Sequence, residues 1–211
     1  MANLRDITTA IVQSYREGGG ANHLGGLDLP ARSQVRAILA RLEELVFPGF
    51  SHDEVLTEEN LEYVTGSRVA AIVDEVSGQV ELDLAHQKKK PKDAEVVAEA
   101  RAFTLSLLEN IPALRDRLNL DVQALLEGDP AVRSREEVIL AYPGLRAVLV
   151  HRVAHFFWRN GVRLLARMMS EAVHGQTGID IHPGATIGDH FYIDHGTGDR
   201  KSTRLNSSHR P

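Results

Sequence analysis

The chain is 211 residues long with 43% hydrophobic and 25% charged residues, ordinary proportions for a globular protein of one good-sized or two small domains. It contains no cysteine, which excludes disulfides, thiolate-bound zinc, iron–sulfur clusters and a cysteine nucleophile. The net charge of −5 is uneven, since residues 199–211 are basic and the remainder carries −8, so the body has no electrostatic footprint for nucleic acid.

The N-terminal stretch is interrupted by Arg5, Asp6, Arg16 and Glu17, which rules out a signal-peptide core. No run approaches the roughly 18 apolar residues of a membrane span, so no membrane association is expected and the chain reads as cytoplasmic. Leu4, Ile7, Ile11 and Val12 recur at helical spacing, as do Val35, Ile38, Leu39, Leu42 and Val46. Gly-rich residues 18–26 connect the two segments, and Pro30 sits where the second helix would begin. Further helices are expected at about 57–77 and 93–109. The polar stretch between them ends in HQKKKPKD (86–93), whose lysines read as a solvated loop ahead of an anionic-partner site. Pro112, Asp116, Asn119 and Asp121 suggest short, punctuated helices. Pro143 suits a helix start, with Leu145, Val148, Leu149, Val153, Phe156 and Phe157 as its apolar face and Asn160–Gly161 as its stop. Val162, Leu164, Leu165 and Met168 open a last helix ending near Gly175.

Within the first of these two helices, HRVAH (151–155) places two histidines at i and i+4. The zincin pattern needs glutamate after the first histidine, and Arg152 stands there, so packing or hydrogen bonding is expected and no metal site.

At Gly178 the period changes. Ile181, Ile187 and Ile193 fall six apart, the mark of a hexapeptide parallel β-helix, and only about one coil is present. Asp180, His182, Asp194 and His195 crowd into the same stretch. A histidine beside a carboxylate is the usual general-base pair, and a polar surface turn fits the same spacing. Asp129 in GDPAV can likewise cap a helix with Pro130 at its first position. His182 is expected to support a turn, and Gly196 and Gly198 a corner.

GDPAV (128–132), LRAVLVHRVAHFFWRNG (145–161), GIDIHPGATIG (178–188) and YIDHGTG (192–198) together resemble the serine acetyltransferase family. The resemblance implies an α + β protein: a helical N-terminal domain (1–174), then the first coil of a left-handed parallel β-helix (175–198). It also implies acetyl transfer from acetyl-CoA, as co-substrate, to the hydroxyl of L-serine, giving O-acetylserine for cysteine synthesis. No bound cofactor and no metal are implied. Carried over by position, His195 is the general base and Asp180 its partner, while Asp194 and Asp129 line the serine site and hold the ammonium. The family forms trimers, often hexamers, and can bind O-acetylserine sulfhydrylase. Another hexapeptide acyltransferase with a different acceptor, or a non-catalytic helical oligomerisation module, are the alternatives.

The family's further coils, with their second histidine and CoA-site residues, do not follow Gly198. Residues 199–209, DRKSTRLNSSH, instead resemble a translated sequencing adapter, so 199–211 are expected to be a non-native disordered tail. The chain as written is accordingly expected to lack the CoA site and to be inactive.

Overall fold

The computed structural model describes residues 3–17, 21–50, 55–194 and 196. Among these residues the regular structure is helical: α1 (Leu4–Glu17), α2 (Arg32–Val46), α3 (Leu61–Lys88), α4 (Ala94–Glu109), α5 (Ile111–Gly128), α6 (Arg135–Ala141), α7 (Pro143–Arg159) and α8 (Arg163–Thr177). The expected tail at 199–211 lies outside the described residues.

The helices arise where the apolar spacing places them. Val35, Ile38, Leu39, Leu42 and Val46 make one stripe on α2, and all five are buried. α3 packs on α4, α7 on α8, and α2 lies across both α3 and α8. Phe103 of α4 meets Phe156 and Phe157 of α7 edge-on, with ring centroids 5.6 and 4.8 Å apart, which closes the seam between the two pairs. Phe157, Leu149, Leu165 and Met169 are fully buried there. Each such side chain contributes about 1.5–3 kcal/mol through burial.

Buried polar groups stitch the bundle. Asp83 of α3 accepts the N–H of Leu165 at 2.9 Å and so caps the first turn of α8 from another helix, since Val162 supplies no side-chain cap. Gln87 donates both to Asp83 and to the carbonyl of Gly161, at 2.6 and 2.9 Å. Ser77 and Thr104 share a buried hydrogen bond between α3 and α4.

Two expectations are corrected. α3 runs on to Lys88 because Val76, Val80 and Leu84 continue its buried stripe through residues that read as polar. The lysines that follow pair with acids of the flanking helices: Lys88 with Glu99, Lys90 with Asp93 and Glu95, Lys92 with Glu81. Second, 111–128 is one helix and not several, with Pro112 in its first turn and Leu118, Val122 and Leu125 buried. The first helix, α1, forms as expected, and every residue in it is exposed, so its apolar face joins no core among the described residues.

α8 ends two residues beyond the expected point, at Thr177, with Gly178 in the left-handed region (φ 71°) and its N–H on the carbonyl of His174 at 2.8 Å. From there to Asp194 no strand is present among the described residues. A β-helix strand bonds to the strand one coil above or below it, and 178–194 meet no such neighbour among the described residues, so the expected β-helix coil is not seen there. Ile179 and Ile193 are buried against the helical core, while Ile181 and Ile187 are half-buried. The inward row expected at 181, 187 and 193 is therefore led by 179 and 193.

Candidate active site

α5 stops at Gly128 and the chain turns sharply. Asp129 Oδ1 accepts the N–H of Ala131 at 2.9 Å, closing an Asx-type turn, and Oδ2 accepts the hydroxyl of Tyr142 at 2.9 Å. The helix-cap reading of Asp129 is thereby corrected. α6 begins at Arg135 and is capped by Ser134, whose hydroxyl accepts the N–H of Glu137 at 3.1 Å. Asp129 closes the C-terminal end of α5 through its N–H on the carbonyl of Leu125, and its carboxylate is oriented by a turn on one oxygen and a phenol on the other.

Tyr142 immediately precedes α7. Its hydrogen bond to Asp129, then burial, then the negative charges of Asp129, Glu137 and Asp194 push its phenol up to about 12, so at neutral pH it is a fixed donor. Asp129 and Asp194, distant in sequence, thus act on the same side chain.

Two glycines allow that approach. A Cβ on Gly144 would lie 2.0 Å from the carbonyl oxygen of Ile193, so only glycine lets the 192–194 backbone cross the first turn of α7. Gly196 has φ of 72°, and a Cβ there would lie 2.3 Å from Cγ1 of Ile179, the neighbour of Asp180. The ring of Tyr192 rests against Gly128 beside Asp129. The chain segments carrying Asp129, Asp194 and Asp180 therefore converge on the start of α7. Asp180 itself is exposed. His195 lies outside the described residues.

The other histidines have structural partners. His182 Nδ1 accepts the N–H of Gly184 at 3.0 Å, and its ring stands edge-on to Trp158 at 4.8 Å, as expected of a turn support. His155 Nδ1 donates to the carbonyl of Pro183 at 2.8 Å. His151 is buried on α7, and burial, followed by the nearby positive groups His155 and Arg152, lowers it to about 4. Among the described residues no cluster of His, Cys, Asp and Glu could hold a metal.

Sequence reasoning missed the Asp121–Arg152 pair. Arg152 Nε and Nη2 donate to the two oxygens of Asp121 at 2.7 and 2.8 Å, and Nη2 also reaches the carbonyl of Gly188 at 2.9 Å. Asp121 further accepts the N–H of Phe191 at 2.9 Å. This network fastens the turn before Tyr192 to α5 and α7, and so sets where Asp194 lies. A usable signal existed: Arg152 is a lone charge beside the apolar stripe of Leu149, Val153 and Phe156, and such a charge needs a buried partner. Tyr142, too, carried no motif of its own.

No protein-family model matches the chain. The curated serine acetyltransferase described as plasmid in Synechococcus elongatus is 37% identical over 175 residues, 81% of this chain and 55% of that protein. The serine acetyltransferase of Mycobacterium tuberculosis is 53% identical over 78 residues, 37% of this chain and 34% of that protein. Among solved structures, serine acetyltransferase 1 of Entamoeba histolytica in complex with L-cysteine is similar at a TM-score of 0.62 and 31% identity, over 81% of this chain and 56% of that one. Isoform 3 from the same organism, also with cysteine, is similar at a TM-score of 0.63 and 27% identity, over 92% of this chain and 65% of that one. The chain thus spans about half the length of the Synechococcus relative. By these likenesses the chain belongs to the serine acetyltransferase family.

Proposed function

We propose that the protein is a serine O-acetyltransferase, moving the acetyl group of acetyl-CoA onto the hydroxyl of L-serine. The crossing of the 192–194 backbone over the first turn of α7, beside the Tyr142 hydroxyl that donates to Asp129, carries the reading. Carboxylates carried by segments that meet at the start of α7 suit the α-ammonium of an amino acid, and the Entamoeba relatives were crystallised with an amino acid that has the same α-amino and carboxylate groups as serine.

In this reading Asp129 and Asp194 hold the ammonium and so present the hydroxyl. His195 takes the hydroxyl proton as the oxygen attacks the thioester carbonyl, and Asp180 orients the imidazole and stabilises its positive form. The tetrahedral oxyanion collapses, the C–S bond breaks, and the imidazolium returns its proton to the departing CoA sulfur. General-base help of this kind is worth about 10²–10⁴-fold. Residues 175–198 hold the first coil of a left-handed β-helix that acquires its strands by pairing with further coils, and 1–174 form the helical domain. The assembly is a homotrimer or hexamer, able to bind O-acetylserine sulfhydrylase, in the cytoplasm. Among the described residues no helix is long and apolar enough to cross a membrane.

The test grafts residues 1–198 onto the remaining C-terminal part of the Synechococcus relative and measures CoA thiol release with L-serine. Serine-dependent release that is lost in His195→Ala and weakened, chiefly in serine KM, by Asp129→Asn and Asp194→Asn is the expected result. Release that prefers an amino sugar to serine would assign the alternative acceptor class.

A further inference from the structure

On the flank of α7 away from Tyr142 lies a cavity of about 260 Å³, between α5, α7 and the turn at Thr186–Ile187. Arg117, Arg152, His155, Arg159 and Thr186 line it, and no carboxylate does. Arg152 is the informative member. Its side chain is only 5% exposed, and its Nε and Nη2 are used by Asp121 and Gly188. Nη1 has no acceptor among the described residues, yet it is not one of the sealed polar atoms of the core. A buried guanidinium thus keeps one nitrogen unmatched and accessible in a residue that lines the cavity.

The surroundings share its sign. Arg159, in the last turn of α7, has no ion-pair partner among the described residues, and Arg117 is held at the rim by Asp189 at 2.9 Å, both exposed. His155 is oriented by its Nδ1–H bond to Pro183. The depression of His151, to which His155 and Arg152 contribute after burial, reports the same positive field.

We propose that this cavity binds the phosphate group of a small ligand, with Arg152 Nη1 and Arg159 as its principal donors and Arg117 released from Asp189 to join them. The donors come from α5, from separate turns of α7 and from the Thr186 turn, so they approach from several directions. A tetrahedral oxyanion offers acceptors to all of them, whereas a planar carboxylate matches a single guanidinium fork. The site is separate from the carboxylate pair at Tyr142, whose charge would repel the same ligand.

Calorimetric titration of the 211-residue chain at low ionic strength tests this, using inorganic phosphate, glycerol 3-phosphate and acetate. Saturable phosphate binding is expected, with acetate about tenfold weaker or worse. Arg159→Gln should weaken phosphate about tenfold, the loss of roughly one charged hydrogen bond. Asp189→Asn should tighten it several-fold by freeing Arg117, a gain that general surface screening would not produce. Both side chains are exposed, and an unchanged thermal midpoint verifies that each variant folds. Tighter glycerol 3-phosphate than inorganic phosphate supports the site and assigns it to a phosphomonoester, and the reverse order supports it as a site for the free ion. Absence of saturable binding, or binding indifferent to both substitutions, overturns the proposal.

Discussion

The guanidinium of Arg152 on α7 grips the carboxylate of Asp121 on α5 through two N–H···O bonds of 2.7 and 2.8 Å, with Asp121 completely buried. The pair does more than join two helices, because Arg152 also holds Gly188 and Asp121 also holds Phe191. Removing one partner leaves a charge stranded in the core. Asp121→Asn should therefore cost about 3–5 kcal/mol in urea unfolding. Replacing both residues by apolar ones of similar volume should recover most of that stability while leaving the amides of 188–191 exchanging faster with solvent. If the single substitution proves nearly neutral, the pair is not the clamp described here.

Tyr142 and Asp129 provide a spectroscopic check on the candidate site. The phenol, pushed up to about 12 chiefly by its bond to the Asp129 carboxylate, should ionise last among the tyrosines. Asp129→Asn removes that ionic acceptor and should bring the phenolate absorbance transition of Tyr142 down toward the ordinary value of about 10. Tyr142→Phe identifies which transition belongs to it. A transition unmoved by Asp129→Asn would mean that the hydrogen bond is absent in solution.

Gly144, in the first turn of α7, is where the backbone of Ile193 crosses the helical core. Gly144→Ala places a Cβ about where the carbonyl of Ile193 lies, 2.0 Å away, and backbone cannot yield as a flexible side chain would. The variant should keep its helical circular dichroism but lose hydrogen-exchange protection at 192–194, at a cost of about 1–3 kcal/mol for overpacking. In the grafted enzyme it should raise the serine KM, since Asp194 shifts with its backbone. Unchanged protection would place Ile193 elsewhere.

His151 predicts a pH dependence of stability. Its native value of about 4 lies below the ordinary 6.5, with burial the main cause and the electrostatic influence of His155, Arg152 and His182 adding to it. Between these values the unfolded chain binds a proton that the native protein refuses. Stability should therefore fall as pH drops from about 6.5 to about 4, then level off in this contribution. His151→Gln should flatten that part of the profile by a few degrees of thermal midpoint. A variant with the same slope as the parent would assign the effect to other groups.

The helical half was legible in outline because its stripes obey a 3.6-residue period that side-chain burial directly requires, as Val35 to Val46 of α2 illustrate. Boundaries were less legible. Asp83 and Asp121 read as loop residues, yet both are buried acceptors inside helices, and only the partners brought by other helices make such positions tolerable. Composition and spacing also sufficed to exclude cysteine chemistry and to single out Asp180, His182, Asp194 and His195 as a crowded polar group, whereas Asp129 joined them only through the family resemblance.

What the amino-acid sequence determined by itself was the helical period, the change of period at Gly178 and the residue types of a general-base site. What only the tertiary structure decided was proximity: that Tyr142 donates to Asp129 where the 192–194 backbone crosses α7, that Gly144 and Gly196 matter because backbone and side chain cross them, and that Arg152 links the core to the turn beyond Gly188. Local patterns follow from short-range geometry and can be read along one chain. Contacts between distant residues depend on how whole helices pack, and no local pattern specifies that.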